Sequence, residues 1–418
     1  MKGLVQLEGQ WQGTMRRERV LWGILLLAAG LRLGLALAVP DDFGMRADAA
    51  EYIGVARNWL QTGVFGENAG IPYAVIPPAY PAFLAAVFAV SGGSLLAVRL
   101  AQAALGVAVV WLIYATGRQL FSQRTGMWAA GLAAVYPPLA LYVTFYLTET
   151  LYTFFALLFV YGFSLWQAAP RARYAAVSAA GFALALLTRE TLVILPLAFP
   201  LLFWWGRLKW QDGGRFLLVF GGVTLLFVAP WLARNALTFD AFFFTERTDA
   251  LRYEWTGEGY LSPEFEEWVQ TNESPLTEEQ RHYAYLQYYG RAVDMRDPTF
   301  LLAQPGQYLT FLGRRLVEFW LHPVGLESLP QSVLLRAGYI AFHALLVGLA
   351  GVAMARLGGR RDAGIMLLAL LLVYITLIGL FLRRPLPRYT LPFTPLLFLY
   401  AAQAGAWFRS FTAKRRRS

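Results

Sequence analysis

Apolar runs long enough to cross a lipid bilayer recur along most of this sequence. At a rise of about 1.5 Å per residue, a helix of about 20 apolar residues spans the hydrocarbon core. Hydrophobic residues make up 57% of the 418 residues and charged residues only 15%, a balance that soluble domains do not show. Strand-length alternation is absent from the sequence, whereas helices satisfy their own backbone in lipid. The sequence therefore predicts an all-α polytopic membrane protein.

The apolar runs predict about ten transmembrane helices. The runs lie at about 20–39, 95–116, 126–147, 150–167, 174–188, 191–205, 216–232, 333–354, 363–382 and 390–408. The run at 81–90 is too short to span, so we predict an interfacial or re-entrant helix there. With this count, the arginine and lysine clusters between the helices fall on the same side as the basic C-terminal tail, which is typical of cytoplasmic loops. We therefore predict cytoplasmic termini, and the short loops and the lack of cysteine indicate a prokaryotic plasma membrane.

The connections divide the chain into three predicted regions. Residues 1–232 form an N-terminal transmembrane module whose outer loop, 40–94, carries the chemistry. Residues 233–331 form a large outer-face loop with amphipathic helices, and this loop holds most of the acidic residues. Residues 332–418 form the C-terminal transmembrane helices and a basic cytoplasmic tail.

Acidic residues are dense in the outer loop, where Asp48, Glu51 and Tyr52 lie at the centre. A carboxylate at a membrane surface can act as a general base, because partial burial in apolar surroundings raises its basicity. The spacing of Asp48 and Glu51 equally fits an N-cap and N3 pair that begins a helix. Spacing alone favours the cap, and the two roles are compatible.

Cations on the predicted outer face are the strongest functional signal that comes from the residues alone. They are Arg189, Arg383, Arg384 and Arg388, with Arg32 at a similar predicted depth. These arginines run against the positive-inside bias, so we expect an anion to compensate them. A lipid phosphate is a suitable anion, because guanidinium groups match phosphate oxygens. The alternative is that one or two of these side chains extend to lipid headgroups.

Glu149 begins a helix on the same predicted face. It either contacts an arginine, a sugar hydroxyl or a metal, or it complements the helix dipole, and both interpretations stay open. The three histidines are too scattered for a metal site, and no nucleotide-binding pattern occurs. We therefore predict no cofactor and no nucleic-acid partner, leave a divalent metal open, and expect an activated donor to be a lipid.

The order of these motifs resembles the GT-C glycosyltransferases of the protein O-mannosyltransferase and aminoarabinose transferase type. The pieces that carry the resemblance are Asp48-x-x-Glu51-Tyr52, the Pro-Pro-Ala-Tyr-Pro stretch that contains Tyr80, Thr148-Glu149, Thr188-Arg189-Glu190 and Arg388-Tyr389. The resemblance implies a transferase that uses a polyprenyl-phosphate-linked sugar on the outer face. It also implies that Asp48 is the catalytic base, and that Arg189 and Arg388 bind the lipid phosphate.

One departure from this family bears on metal binding. Proteins of the aminoarabinose type carry an acidic residue and a lysine just before their Pro-Pro, where this chain has Val75 and Ile76. No metal is therefore predicted.

The sequence-based prediction is an inverting transfer from a polyprenyl-phosphate sugar to a hydroxyl or amine of an unidentified acceptor, in contact with membrane lipids. Asp48 is the predicted base. The predicted phosphate-binding residues are Arg189, Arg383, Arg384 and Arg388, and the predicted substrate-binding or supporting residues are Glu51, Tyr52, Tyr80 and Glu149. One alternative is a ligase or polymerase with a pyrophosphate-linked donor. A lipid or sugar transporter is less favoured, because transporters carry charges near the bilayer midplane and these charges gather at one face.

Overall fold

The computed structural model describes residues 2–46, 48–68, 70–245, 305–321, 333–381 and 387–415, and these residues form helices and connections between them, without a strand. The helices are α1 Lys2–Ala38, α2 Ala49–Thr62, α3 Ala79–Ser91, α4 Leu95–Leu120, α5 Gln123–Val135, α6 Pro137–Leu141, α7 Glu149–Ala168, α8 Ala172–Thr188, α9 Phe199–Trp205, α10 Trp210–Phe239, α11 Pro305–Leu321, α12 Val333–Leu357, α13 Ala363–Phe381 and α14 Thr394–Arg415. The predicted all-α class is confirmed.

Six of the described helices are long and apolar enough to cross a membrane, or seven if one bent pair counts as a span. The six spans are Glu18–Ala38, Leu95–Leu120, Glu149–Ala168, Trp210–Phe239, Arg336–Leu357 and Ala363–Leu380. The predicted count of ten is not confirmed in the described residues. The apolar helices Ala172–Thr188 and Glu190–Trp205 are shorter than a full span, and the helix Thr394–Arg415, which lies over the predicted run at 390–408, is not among the six. Helix α3 is also shorter than a span, in agreement with the prediction for 81–90.

The predicted span at 126–147 is broken into two helices that meet at an angle of 63°. The break follows Tyr136, whose backbone is extended, because a residue before proline is biased away from the helical region. The freed carbonyls at the end of α5 accept hydrogen bonds from Arg32, whose Nη1 is 3.2 Å from the Ala134 oxygen and whose Nη2 is 3.2 Å from the Ala133 oxygen. Arg32 is fully buried, and its guanidinium group donates to backbone carbonyls.

Helices α7 and α8 pack closely and form, with α4 and α10, the centre of the N-terminal part of the bundle. Two glycines permit this approach. A Cβ added to Gly162 would lie 2.5 Å from the backbone nitrogen of Ser178, and one added to Gly181 would lie 2.4 Å from that of Phe159. Small residues have the same function in other membrane helix pairs, because they allow two backbones to meet.

Gly162→Ala is expected to destabilise the protein by about 1 to 3 kcal/mol, because the added methyl group forces α7 away from the α8 backbone. The matched control is Gly221→Ala, where nothing lies within 4 Å of the added Cβ. In that exposed helix position, the change to alanine is expected to stabilise the protein by about 0.5 to 1 kcal/mol. Unfolding of the two variants in detergent checks the pair, and equal stabilities would contradict the tight crossing.

Candidate active site

The segment before α2 is held in place by two contacts with other elements. The Arg99 Nη2 lies 2.7 Å from Asp41 Oδ1, which fixes the start of the segment. The Gly44 carbonyl accepts from the Tyr146 backbone nitrogen at 3.3 Å. A Cβ at Gly44 would lie 2.4 Å from the Thr144 carbonyl oxygen, so glycine is required at this approach. The segment therefore lies against residues 144–146, just before α7 begins.

Asp48 occupies the N-cap position of α2, as the sequence predicts, but its side chain accepts no capping hydrogen bond. Its Oδ2 instead accepts from Arg388 Nη2 at 3.0 Å, across 340 residues of sequence. The cap interpretation therefore describes the position of Asp48 and not the contact that its carboxylate makes. The Asp48 side chain is 32% exposed, so its carboxylate is reachable from outside the protein.

Glu149 is the first residue of α7 and is 1% exposed. Its Oε1 lies 3.1 Å from Arg189 Nη1 and 3.9 Å from Arg388 Nε, so this carboxylate links the two arginines. Its Oε2 is buried and has no hydrogen-bond partner in the described part of the chain. A cavity of about 10 Å³, which Glu149 and Thr150 line, lies beside it and is the size of about one water molecule.

Arg189 follows the end of α8, and Arg388 lies in a 3-10 segment, Pro387–Phe393, which leads into α14. Both guanidinium groups lie over the ring of Tyr389, at 4.7 Å for Arg189 and 5.7 Å for Arg388. No role is predicted for Tyr389 from the sequence, although this residue belongs to the Arg388-Tyr389 piece of the family resemblance. Its ring attracts both cations through its negative face and so helps to orient them.

The electrostatics of the site keep both arginines charged. Burial acts to lower the pKa of Arg189, but the carboxylate of Glu149 raises that pKa above its ordinary value. The pKa of Arg388 is likewise raised, since Glu149 and Asp48 outweigh the effect of burial. In the described structure, the anions that compensate these arginines are therefore carboxylates of the chain.

Tyr52 and Tyr80 form part of the wall behind the charged groups. Their rings meet edge to face at 5.1 Å, and the fully buried Tyr80 hydroxyl donates to Gln102 Oε1 at 3.2 Å. Burial, with the charge of Glu149 as the next cause, raises the pKa of Tyr80 well above its ordinary value. The Tyr80 hydroxyl therefore stays protonated and acts as a donor.

Not every predicted site residue joins this cluster. Glu51 accepts from the Tyr73 hydroxyl and is thereby tied to the loop after α2. Arg383 and Arg384 lie outside the described residues. Among the residues that are described, no group of three or more His, Cys, Asp or Glu side chains is arranged to hold a metal. The carboxylates of Asp48 and Glu149 are paired with guanidinium groups instead.

Comparisons with known proteins give one sequence family and several solved structures. Residues 75–233 match the family described as dolichyl-phosphate-mannose-protein mannosyltransferase. No curated protein matches the chain significantly. The archaeal oligosaccharyltransferase AglB from Archaeoglobus fulgidus, solved with an inhibitory peptide and a dolichol-phosphate, has a TM-score of 0.60 at 14% identity. That likeness covers 97% of this chain and 52% of that chain.

ArnT from Cupriavidus metallidurans gives a similar result. Its apo structure has a TM-score of 0.56 at 15% identity, over 96% of this chain and 63% of that one. Its structure with undecaprenyl phosphate has a TM-score of 0.52 at 16% identity, over 92% and 59%. The chain thus spans about half the length of AglB and less than two thirds of ArnT. The chain has the GT-C fold that these glycosyltransferases share, and its residues 75–233 match the dolichyl-phosphate-mannose-protein mannosyltransferase family.

Proposed function

We propose that the chain transfers a sugar from a polyprenyl-phosphate-linked donor to an acceptor hydroxyl or amine, with inversion at the anomeric carbon. The observation that carries this proposal is the cluster of Asp48, Glu149, Arg189 and Arg388, which come from four separate parts of the chain. Two reachable cations beside a reachable carboxylate are the groups that such a transfer needs. The dolichol-phosphate and undecaprenyl phosphate in the AglB and ArnT structures support a lipid phosphate as the ligand.

The proposed reaction is a single displacement. The acceptor oxygen or nitrogen forms a bond to the anomeric carbon while the bond from that carbon to the phosphate oxygen breaks. The electron pair of the broken bond stays on the phosphate, which leaves as polyprenyl phosphate. Asp48 accepts the proton of the acceptor, and this general-base step contributes typically about 10²- to 10⁴-fold.

The arginines act on the charge that develops on the leaving phosphate. A sugar phosphodiester carries one negative charge, and the phosphate monoester that leaves carries more, so the cations bind the product state more strongly than the donor. Arg388 is 18% exposed on its side chain and Glu149 only 1%, so Arg388 can meet a ligand, while Glu149 acts as a positioning residue behind it. No step of this account requires a metal.

Arg388→Ala is expected to raise KM for the donor by about 10- to 100-fold, because hydrogen bonds to charged groups contribute about 1.5 to 3 kcal/mol. Arg388→Lys is expected to recover part of the loss, since lysine keeps the charge but not the planar fork. The matched control is Arg46→Ala. Arg46 is an exposed arginine near the site whose guanidinium lies 4.8 Å from the centre of the Phe43 ring. An unchanged KM in Arg388→Ala would instead assign Arg388 to contacts with headgroups.

The site is proposed to face the outside of a prokaryotic plasma membrane, with both termini in the cytoplasm. Because the sequence contains no cysteine, single cysteines can be introduced without background labelling. A cysteine at the exposed position Asp42 is expected to react with an impermeant maleimide in intact cells. A cysteine at the exposed position Arg173 is expected to react only after the cells are opened. The reverse pattern would contradict this orientation.

The test of the function is transfer by the purified chain. Mass spectrometry of the lipid that copurifies identifies its head group, and that lipid is then offered with its sugar as donor in nanodiscs. A monophosphate-linked sugar that is consumed supports the proposal. A pyrophosphate-linked donor would favour a ligase or polymerase, and movement of the intact lipid without transfer would favour a transporter.

A further inference from the structure

The four charged side chains of the site neutralise one another. Asp48 and Glu149 supply two negative charges, and Arg189 and Arg388 supply two positive charges, in contacts of 3.0 Å, 3.1 Å and 3.9 Å. A donor phosphate brings a further negative charge to this set. An arginine that binds the phosphate directly must therefore exchange or share a carboxylate that it already holds.

The carboxylates of Glu149 and Asp48 differ in how easily they can separate from the arginines. Glu149 is 1% exposed, and its Oε1 is 3.1 Å from Arg189, so its departure would leave a buried charge unpaired. Asp48 is 32% exposed and lies at the start of α2, where water can hydrate its carboxylate. An ion pair with this exposure contributes only about 1 kcal/mol or less. Asp48 is therefore the partner that a phosphate displaces from Arg388.

We infer that the donor phosphate and Asp48 compete for Arg388, so that binding of the donor releases the base. This inference rests on the proposed function and adds an order to it. In the resting protein, one carboxylate oxygen of Asp48 already accepts from Arg388 and is not free to accept from a nucleophile. Once the phosphate holds Arg388, that oxygen turns to the acceptor. The donor therefore binds before a productive acceptor.

The same exchange closes the cycle. After transfer, Asp48 holds the proton of the acceptor and is neutral, while polyprenyl phosphate occupies the arginines. Asp48 then passes this proton to water, recovers its charge and pairs again with Arg388. The renewed pair competes with the lipid phosphate and helps it to leave. The base is thus held away from Arg388 only while a phosphate is bound.

The test is the affinity of the purified full chain for undecaprenyl phosphate in detergent. Asp48→Asn keeps the shape of the side chain but removes the negative charge that forms the ion pair with Arg388. It is expected to bind undecaprenyl phosphate about fivefold more tightly than wild type, which corresponds to the strength of a partly exposed ion pair. Binding of undecaprenol, which has the same chain without the phosphate, is expected to be unaffected.

Two further variants separate competition from a general change in charge. Asp42→Asn removes one negative charge from an exposed position of the same segment, and it is expected to leave the affinity unchanged. In an Arg388→Ala background, adding Asp48→Asn is expected to have no effect, because the contested cation is gone. Gel filtration and thermal unfolding of each variant confirm that it folds.

The outcomes distinguish this inference from the proposed function. Tighter binding by Asp48→Asn that vanishes in the Arg388→Ala background supports the competition. Equal or weaker binding by Asp48→Asn, while wild type transfers sugar, overturns the competition and leaves the transferase intact. An equal gain in Asp42→Asn also overturns it, because charge alone would then explain the effect. A failure of every protein to bind undecaprenyl phosphate would overturn the inference together with the proposed function.

Discussion

Asp48→Asn is expected to lower kcat for sugar transfer by about 10²- to 10⁴-fold, the range that a general base contributes. Asparagine cannot take up the acceptor proton, but it has the same size and is an equally good residue at an N-cap. The fold of α2 is therefore expected to survive, and so is the binding of the lipid donor. Single-turnover measurements with donor already bound would separate the loss of chemistry from a loss of binding.

The matched control for this loss is Asp42→Asn, an isosteric change at an exposed aspartate of the same segment. It is expected to leave kcat within about twofold of wild type, because exposed substitutions away from a contact have small effects. Turnover by Asp48→Asn at the rate of wild type would remove Asp48 from the role of base. An equal loss in both variants would assign the effect to the charge of the segment as a whole.

Glu149→Ala is expected to destabilise the protein by about 3 to 5 kcal/mol, the loss that follows when one partner of a buried ion pair is removed. The variant leaves Arg189 without the carboxylate that lies 3.1 Å away, and it leaves two guanidinium groups that repel each other over one ring. Glu149→Gln keeps the side-chain oxygen and is expected to lose less. Glu149→Ala and Glu149→Gln are both expected to raise KM for the donor, since Arg189 and Arg388 lose the carboxylate that contacts and orients them.

A double-mutant cycle tests the physical cause of this loss. Combining Glu149→Gln with Arg189→Gln removes both charges, so we expect the double variant to be more stable than the sum of the two single losses predicts. Glu190→Gln is the matched control, because Glu190 accepts from Thr245 and lies outside the arginine pair. If the stability losses of Glu149→Gln and Arg189→Gln simply add in the double variant, Glu149 does not act through Arg189.

The charged residues of the site could be found in the sequence because each of them is unusual where it stands. The sequence predicts that Arg189 and Arg388 are cations on the outer side of the membrane, which disfavours them, and that Asp48 and Glu149 begin helices on that side. What the sequence could not give is their pairing. The contact of Asp48 with Arg388 depends on how the last part of the bundle packs on the first, and no local pattern encodes a contact across 340 residues.

Two features of the fold differ from the sequence-based expectation for physical reasons. The sequence predicts that Arg32 lies at a depth similar to that of the outer-face arginines, because depth along a helix can be inferred from a sequence, whereas the neighbours of a side chain cannot. It donates to the carbonyls at the broken end of α5 instead. The break itself lies inside a continuous apolar run, and hydropathy does not register that Pro137 removes a backbone donor.

The most direct test of the account is an experimental structure of the full chain with undecaprenyl phosphate bound. The account predicts that the phosphate lies within hydrogen-bond distance of both Arg189 and Arg388, and that Asp48 has turned from Arg388 towards the open side of the site. A phosphate bound elsewhere on the molecule, with the contact between Asp48 and Arg388 unchanged, would contradict it.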